Sequence, residues 1–219
     1  MKKILFCIIS LSVCVSTFAC IGLQKESTLK LESSDNKTLL LNSVKEEETM
    51  KENDTLIIKK ENNTNLVVYF SCTGNTKAIA QKISTGLNAD LFEIVPREAY
   101  TSADLNYSNN NSRSSKEMNN ASSRPEIANK ISNISQYDTI YIGYPIWWGE
   151  APRIMNTFVE SYSFTNKTII PFCTSGSSGI GSSATRLFES IKDIKLISGK
   201  RFSGRETDEE VMNWLNTSK

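Results

Sequence analysis

Beyond residue 65 the chain alternates two apolar rhythms. Short runs at 66–70, 91–95, 139–142, 168–173 and, more weakly, 195–197 read as strands buried on both faces. Between them, apolar residues recur at helical spacing: Ile79, Ile83 and Leu87; then Ile127, Ile131 and Ile134 in a segment starting near Ser123-Arg124-Pro125. The pattern continues with Ile154, Met155, Phe158 and Val159 after Pro152, and with Leu187, Phe188 and Ile191. A last helix, carrying Val211, Met212, Trp214 and Leu215, opens on the capping box Thr207-x-x-Glu210. Strands alternating with helices in this way predict an α/β fold, a parallel sheet with helices on both faces. Pro171 conflicts with a central strand, because it has no N–H for the ladder, and predicts an interruption or bulge there.

The first 65 residues follow neither rhythm. Met1-Lys2-Lys3 precedes an apolar stretch at 4–15, and Ser16-Thr17-Phe18-Ala19 leads to Cys20. The stretch is shorter than the roughly 20 residues a spanning helix needs, so residues 1–19 read as an export signal peptide. Cleavage after Ala19 would leave Cys20 to carry lipid, as in bacterial lipoproteins; plain secretion and an uncleaved signal anchor are the other two readings. Residues 20–65, rich in Lys, Glu, Asn, Ser and Thr, bury too little apolar surface to offset ordering entropy and read as a low-complexity polar tether. The expected folded unit is residues 66–219, one domain of ordinary size, held on the extracytoplasmic side of a membrane.

Composition removes several chemistries. The chain has 25 Lys plus Arg against 24 Asp plus Glu and no His. A balance this close to neutral implies neither nucleic acid nor an acidic polymer as partner, and the missing histidines exclude a Ser-His-Asp triad and the usual zinc enzymes. Once a signal is removed, Cys20, Cys72 and Cys173 remain. Cys72 and Cys173 each follow a strand pattern and read as small buried hydrophobes, too few to ligate a metal cluster.

The candidate chemistry sits in three loops. After the first strand, Ser71-Cys72-Thr73-Gly74-Asn75-Thr76 turns an apolar run directly into a helix. Its hydroxyls, the Asn75 amide and the helix-start N–H groups can wrap a phosphate, with Gly74 permitting close approach. Thr76 is followed by Lys77 without the Gly-Lys-Ser/Thr ending of a triphosphate loop, so a monophosphate site is expected. After the third strand comes Gly143-Tyr144-Pro145-Ile146-Trp147-Trp148-Gly149-Glu150-Ala151-Pro152, and after the fourth Thr174-Ser175-Gly176-Ser177-Ser178-Gly179. One brings aromatic surface and the other brings close backbone, a pairing that suits a flat tricyclic ring with a polar edge. Phosphate plus flat heterocycle describes FMN.

These motifs resemble the flavodoxins, and more closely the flavodoxin-like bacterial proteins with a Tyr-Pro-x-Trp-Trp-Gly loop. The resemblance runs over roughly residues 66–216 and includes Pro171-Phe172-Cys173-Thr174-Ser175-Gly176. It implies a doubly wound five-stranded parallel sheet of order 2-1-3-4-5 and a tightly held FMN. Phosphate contacts would fall to Ser71, Thr73, Gly74, Asn75 and Thr76, with Cys72 giving backbone only. Ring contacts would fall to Pro145, Ile146, Trp147, Trp148 and Gly149, and to Thr174, Ser175, Gly176 and Gly179. Of the two tryptophans, one is expected at the ring and one in packing.

Two functions follow from that resemblance. The first is an electron carrier, passing electrons through non-covalently bound FMN to a redox partner protein or a small-molecule acceptor. The second is an FMN-dependent NAD(P)H:quinone or other small-molecule reductase, with the Asn- and Ser-rich excursion at 97–125 forming a pocket. Arg113 and Arg124, both within that excursion, are expected to pair with surface carboxylates rather than with an acidic substrate.

Overall fold

Every run expected as a strand forms one in the computed structural model, which describes residues 64–218. The signal expected at 1–19, Cys20 and the tether expected at 20–65 lie outside the described residues, except for residues 64 and 65, of which Asn65 opens the first strand. In chain order the elements are β1 (Asn65–Tyr69), α1 (Asn75–Leu87), β2 (Asp90–Glu93), α2 (Arg113–Asn119), β3 (Thr139–Pro145) and α3 (Arg153–Glu160). They are followed by β4 (Thr168–Thr174), α4 (Ser183–Leu187), β5 (Lys195–Leu196), β6 (Lys200–Phe202) and α5 (Asp208–Thr217). All pairings between these strands are parallel, in the order β2-β1-β3-β4-β5, with β6 also on β4. Among the described residues no helix is long and apolar enough to cross a membrane.

The strand alternation feeds two separate cores. Leu66, Val68, Phe70, Ile140, Ile142 and Ile169 point to one face, where Ile154, Met155, Phe158 and Val159 of α3 and Leu187 of α4 cover them. Val67, Tyr69, Tyr141, Ile170 and Phe172 point to the other, under Ile79, Ala80 and Ile83 of α1 and Val211, Trp214 and Leu215 of α5. Each large apolar side chain so buried contributes about 1.5–3 kcal/mol. The helix ends follow their residues: Asn88 closes α1 in the left-handed region, its N–H bonded to the Ser84 and Thr85 carbonyls. The Thr207/Glu210 capping box opens α5 as expected.

The edge of the sheet resolves the Pro171 conflict. β5 pairs with Thr168 and Ile169, β6 pairs with Phe172 to Thr174, and the chain between them leaves the ladder opposite Pro171. Ile169 O accepts from Ile197 N and Ser175 N donates to Phe202 O, so alternate residues, Pro171 included, face this edge. The missing N–H falls where the edge strand is interrupted, and two short strands fill the fifth position.

Two helix expectations fail. The segment carrying Ile127, Ile131 and Ile134 is not a helix: Ile127 makes an antiparallel bridge to Pro96, and only a short 3-10 turn forms at Ile134–Gln136. Its apolar residues have helical spacing, but each packs on its own as the chain crosses the sheet end, Ile131 and Ile134 within the α3-side core and Ile127 against it. The helix of this region is instead α2, inside the polar excursion, capped by Ser112 accepting from Ser115 N. α4 also stops earlier than expected, before Ile191, although Leu187 and Phe188 are buried as the spacing required.

Candidate functional site

The three loops leave the sheet side by side because β1, β3 and β4 are parallel neighbours, next to the point where strand order reverses between β1 and β3. Backbone bonds tie them together there: Phe70 N donates to Gly143 O at 3.0 Å, and Ile146 N to Thr174 O at 2.9 Å. The hydroxyls of Thr76 and Thr174 lie 2.7 Å apart in a buried bond, joining the loop after β1 to the loop after β4.

At the first loop, Ser71 Oγ accepts from Gly74 N at 3.1 Å and Asn75 Nδ2 donates to Thr73 Oγ1 at 3.2 Å, folding the loop over the start of α1. Gly74 stands at φ 86 as the N-cap, where no side chain caps the helix and no acidic residue occupies the first turn. A Cβ on Gly74 would meet nothing within 4 Å. The positive end of α1 therefore faces open space, the arrangement that accepts an anion. Cys72 turns the other way, half-buried against the core, and burial pushes its thiol up to about 12, with the Arg113 charge acting in the opposite direction.

At the second loop the two tryptophans separate. Trp147 packs edge-to-face on Phe70 and Tyr100, with ring centroids 5.9 and 5.4 Å away. Trp147 and Glu150 exchange both backbone hydrogen bonds across Trp148-Gly149, whose φ values of 47° and 80° are those of a type I′ turn. Gly149 accepts that conformation freely, whereas for Trp148 it costs roughly 1–2 kcal/mol. The result is an indole 51% exposed at the rim, beside open space above Gly149. Glu150 pins the base of the turn through Arg153 at 3.0 Å and Arg186 at 2.7 Å.

The third loop is held by a side chain from the sheet edge. Arg201 of β6 donates through Nη2 to the Ser175 and Gly176 carbonyls, each at 2.6 Å, and through Nε to Ser175 Oγ at 3.3 Å. Ser175 Oγ in turn donates to the Ser178 carbonyl, and a Cβ on Gly176 would also meet nothing within 4 Å. Cys173 is buried in β4, and burial pushes its thiol up to about 12.

Residues 64–218 match the flavodoxin family profile. The chain belongs to the flavodoxin family. It is 46% identical to a candidate flavoprotein from Bacteroides eggerthii DSM 20697, with 72% of this chain and 98% of that one covered at a TM-score of 0.67. A candidate flavoprotein from Bacteroides uniformis ATCC 8492 is 42% identical, with 70% and 98% covered and the same TM-score of 0.67. A flavoprotein from Lactobacillus acidophilus NCFM, solved in complex with FMN, is 25% identical over 70% of this chain and 99% of that one, at a TM-score of 0.52. No curated protein matches the chain.

Within this flavodoxin-family fold all three expected loops converge on one end of the sheet. The sequence reading missed the groups that hold them. Tyr100 and α2, from the polar excursion, wall the second loop: Arg113 lies 4.0 Å over the Tyr100 ring, and Tyr100 Oη donates to Glu117 at 2.5 Å. Arg113 pairs with Glu117 at 2.7 Å and Arg124 with Glu160 at 2.7 Å, the carboxylate pairing expected of both. Glu150 lies within its own loop, where its ion pairs had no local signal, and Arg186 and Arg201 meet their loops only through tertiary contact.

Proposed function

We propose that this protein carries electrons through non-covalently bound FMN. The observation that carries the reading is the convergence of an uncapped helix start, an exposed aromatic turn and a glycine loop on the carboxyl ends of adjacent parallel strands. The FMN-bound Lactobacillus acidophilus structure, of the same fold at 25% identity, supports the choice of nucleotide.

The residues fit that cofactor. Ser71, Thr73, Asn75 and Thr76, with the first N–H groups of α1, would hold the phosphate, and the open volume beside Gly74 admits it. Of the two tryptophans Trp148 would meet the ring, a choice supported by Trp147 being already committed to Phe70 and Tyr100. Thr174 to Gly179 would meet the polar edge through backbone groups. The flavin supplies the electron chemistry when bound; the protein sets its potential, its orientation and its access to solvent and partners.

The same reading places the protein outside the cytoplasmic membrane, tethered by lipid on Cys20 and exchanging electrons with a redox protein or a small-molecule acceptor there. Its support is the sequence pattern of residues 1–20 and the polar stretch that follows. Mass spectrometry of the mature N-terminus tests it: an unmodified Cys20, or an intact Met1, would remove the lipid anchor.

A reductase acting directly on NAD(P)H and a quinone is the second reading, favoured by the exposed Trp148 rim, which leaves room beside the ring for a small acceptor. Stepwise reduction of the FMN-loaded full chain separates the two. Reduction in two resolved one-electron stages, with no steady oxidation of NADPH, supports the carrier. Single-stage reduction with quinone-dependent NADPH oxidation supports the reductase.

A further inference from the structure

The edge strand β6 brings one cation to the site. Arg201 pairs in register with Cys173, at the carboxyl end of β4, and its guanidinium reaches past that end to the third loop. All three of its hydrogen bonds go to neutral acceptors, the Ser175 hydroxyl and the Ser175 and Gly176 carbonyls. Among the described residues no carboxylate pairs with it, unlike Arg113, Arg124, Arg153 and Arg186. Its charge is therefore uncompensated, and it is only partly exposed to solvent screening.

The bonded carbonyls fix which way the loop's donors point. The Ser175 carbonyl shares its peptide plane with the Gly176 N–H, and the Gly176 carbonyl shares its plane with the Ser177 N–H. In a trans peptide the N–H points opposite to the C=O. With both carbonyls turned toward the guanidinium, both N–H groups turn away from it, and neither donates to another described residue. A Cβ on Gly176 would meet nothing within 4 Å, so the loop there borders open space. Two oriented N–H dipoles backed by a full positive charge make a site for developing negative charge.

We infer that Arg201 is a positioning residue that raises the reduction potential of the bound flavin, holding the Gly176 and Ser177 N–H groups on its pyrimidine edge and stabilising the negative charge that reduction places there. This rests on the FMN reading above. The balance is simple: oxidised FMN takes up two electrons from a reductant and one proton from water at N5, leaving one added negative charge on the N1 side of the ring. No residue is oxidised or consumed. Arg201 favours the charged product over the neutral oxidised ring, so its removal weakens binding of reduced FMN more than binding of oxidised FMN.

The test uses the full chain in detergent, titrated first with oxidised FMN and then taken to equilibrium with dithionite and a reference dye. Wild type, Arg201→Gln and Arg201→Lys are compared. Arg201→Gln is expected to bind reduced FMN about tenfold more weakly relative to oxidised FMN, which lowers the two-electron potential by about 30 mV. Arg201→Lys, which keeps the charge, should stay within about twofold of wild type in that ratio. A purely structural role would weaken both redox states equally and leave the potential unmoved, and that result in Arg201→Gln overturns the inference. Should Arg201→Gln bind no FMN, Arg201→Lys decides: a wild-type ratio supports the inference, and a tenfold drop despite the retained charge overturns it. Failure of wild type to bind FMN would instead remove the parent reading, and the inference with it.

Discussion

The two halves of the site are built in different ways. The phosphate half is local: a buried strand ends at Tyr69, the loop folds on itself through the Ser71 and Asn75 side chains, and the helix start does the work. The ring half is assembled at a distance. Trp147 is fixed by Tyr100 from the excursion, the Trp148-Gly149 turn by Glu150 between two arginines, and the glycine loop by Arg201 from the sheet edge. A local half varies with its own few residues, whereas a remotely braced half can be tuned by changes far along the chain. Tight anchoring and adjustable potential can thus be altered separately in this fold.

The largest expected effect breaks the ring half at its base. In Gly143→Ala the new Cβ would stand 2.1 Å from the Phe172 ring, which is fully buried and cannot yield. We expect a loss of about 3 kcal/mol in denaturant unfolding, with β3 forced off β4. Next comes the link between the halves. Thr76→Val leaves the buried Thr174 hydroxyl without its 2.7 Å partner, so unfolding free energy should fall by about 1–3 kcal/mol, and FMN affinity with it. A variant as stable as wild type would mean the halves are not coupled there.

Glu150→Gln should act on one half only. Releasing the exposed Arg186 costs little, but releasing Arg153, whose side chain is only 14% exposed, should cost about 1–3 kcal/mol of stability, and FMN should bind several-fold more weakly while riboflavin 5′-phosphate selectivity over riboflavin is kept. Loss of that selectivity would show that the turn also shapes the phosphate half. The smallest effect concerns Cys72. Burial raises its thiol from 9.0 to about 12 in the folded chain, so the folded state holds the proton that the unfolded state gives up. Stability from this group is complete below pH 9 and declines as pH rises toward 12. Alkylation of native protein at pH 8 should be much slower than after unfolding; equal rates would place the thiol in solvent.

The contrast between the halves also marks what could be read from the sequence. Strand runs buried on both faces and the motif 71–76 carry their meaning in contiguous residues, and the fold and phosphate half follow from them. Even Pro171 announced an interruption, although the sequence offered no hint that the edge strand, rather than β4, would break. The failed helix at 125–134 shows the limit: Ile127, Ile131 and Ile134 have helical spacing, yet each is buried separately where the chain crosses the sheet end. α2 was hidden because its stabilising contacts, Arg113 with Glu117 and Arg153 with the Met118 carbonyl, are polar and partly tertiary. Arg201 has no signature of its own, since its partners are main-chain carbonyls that any sequence supplies.

The central claim is that one end of this sheet binds a flavin mononucleotide through its phosphate as well as its ring. Quenching of flavin fluorescence by the full chain, measured in parallel with FMN and with riboflavin, tests it most directly. One-to-one binding of FMN, with riboflavin at least a hundredfold weaker, is the expected result. Equal affinity for the two would empty the proposed phosphate site of meaning, and absence of binding by either would leave a flavodoxin fold without its flavin.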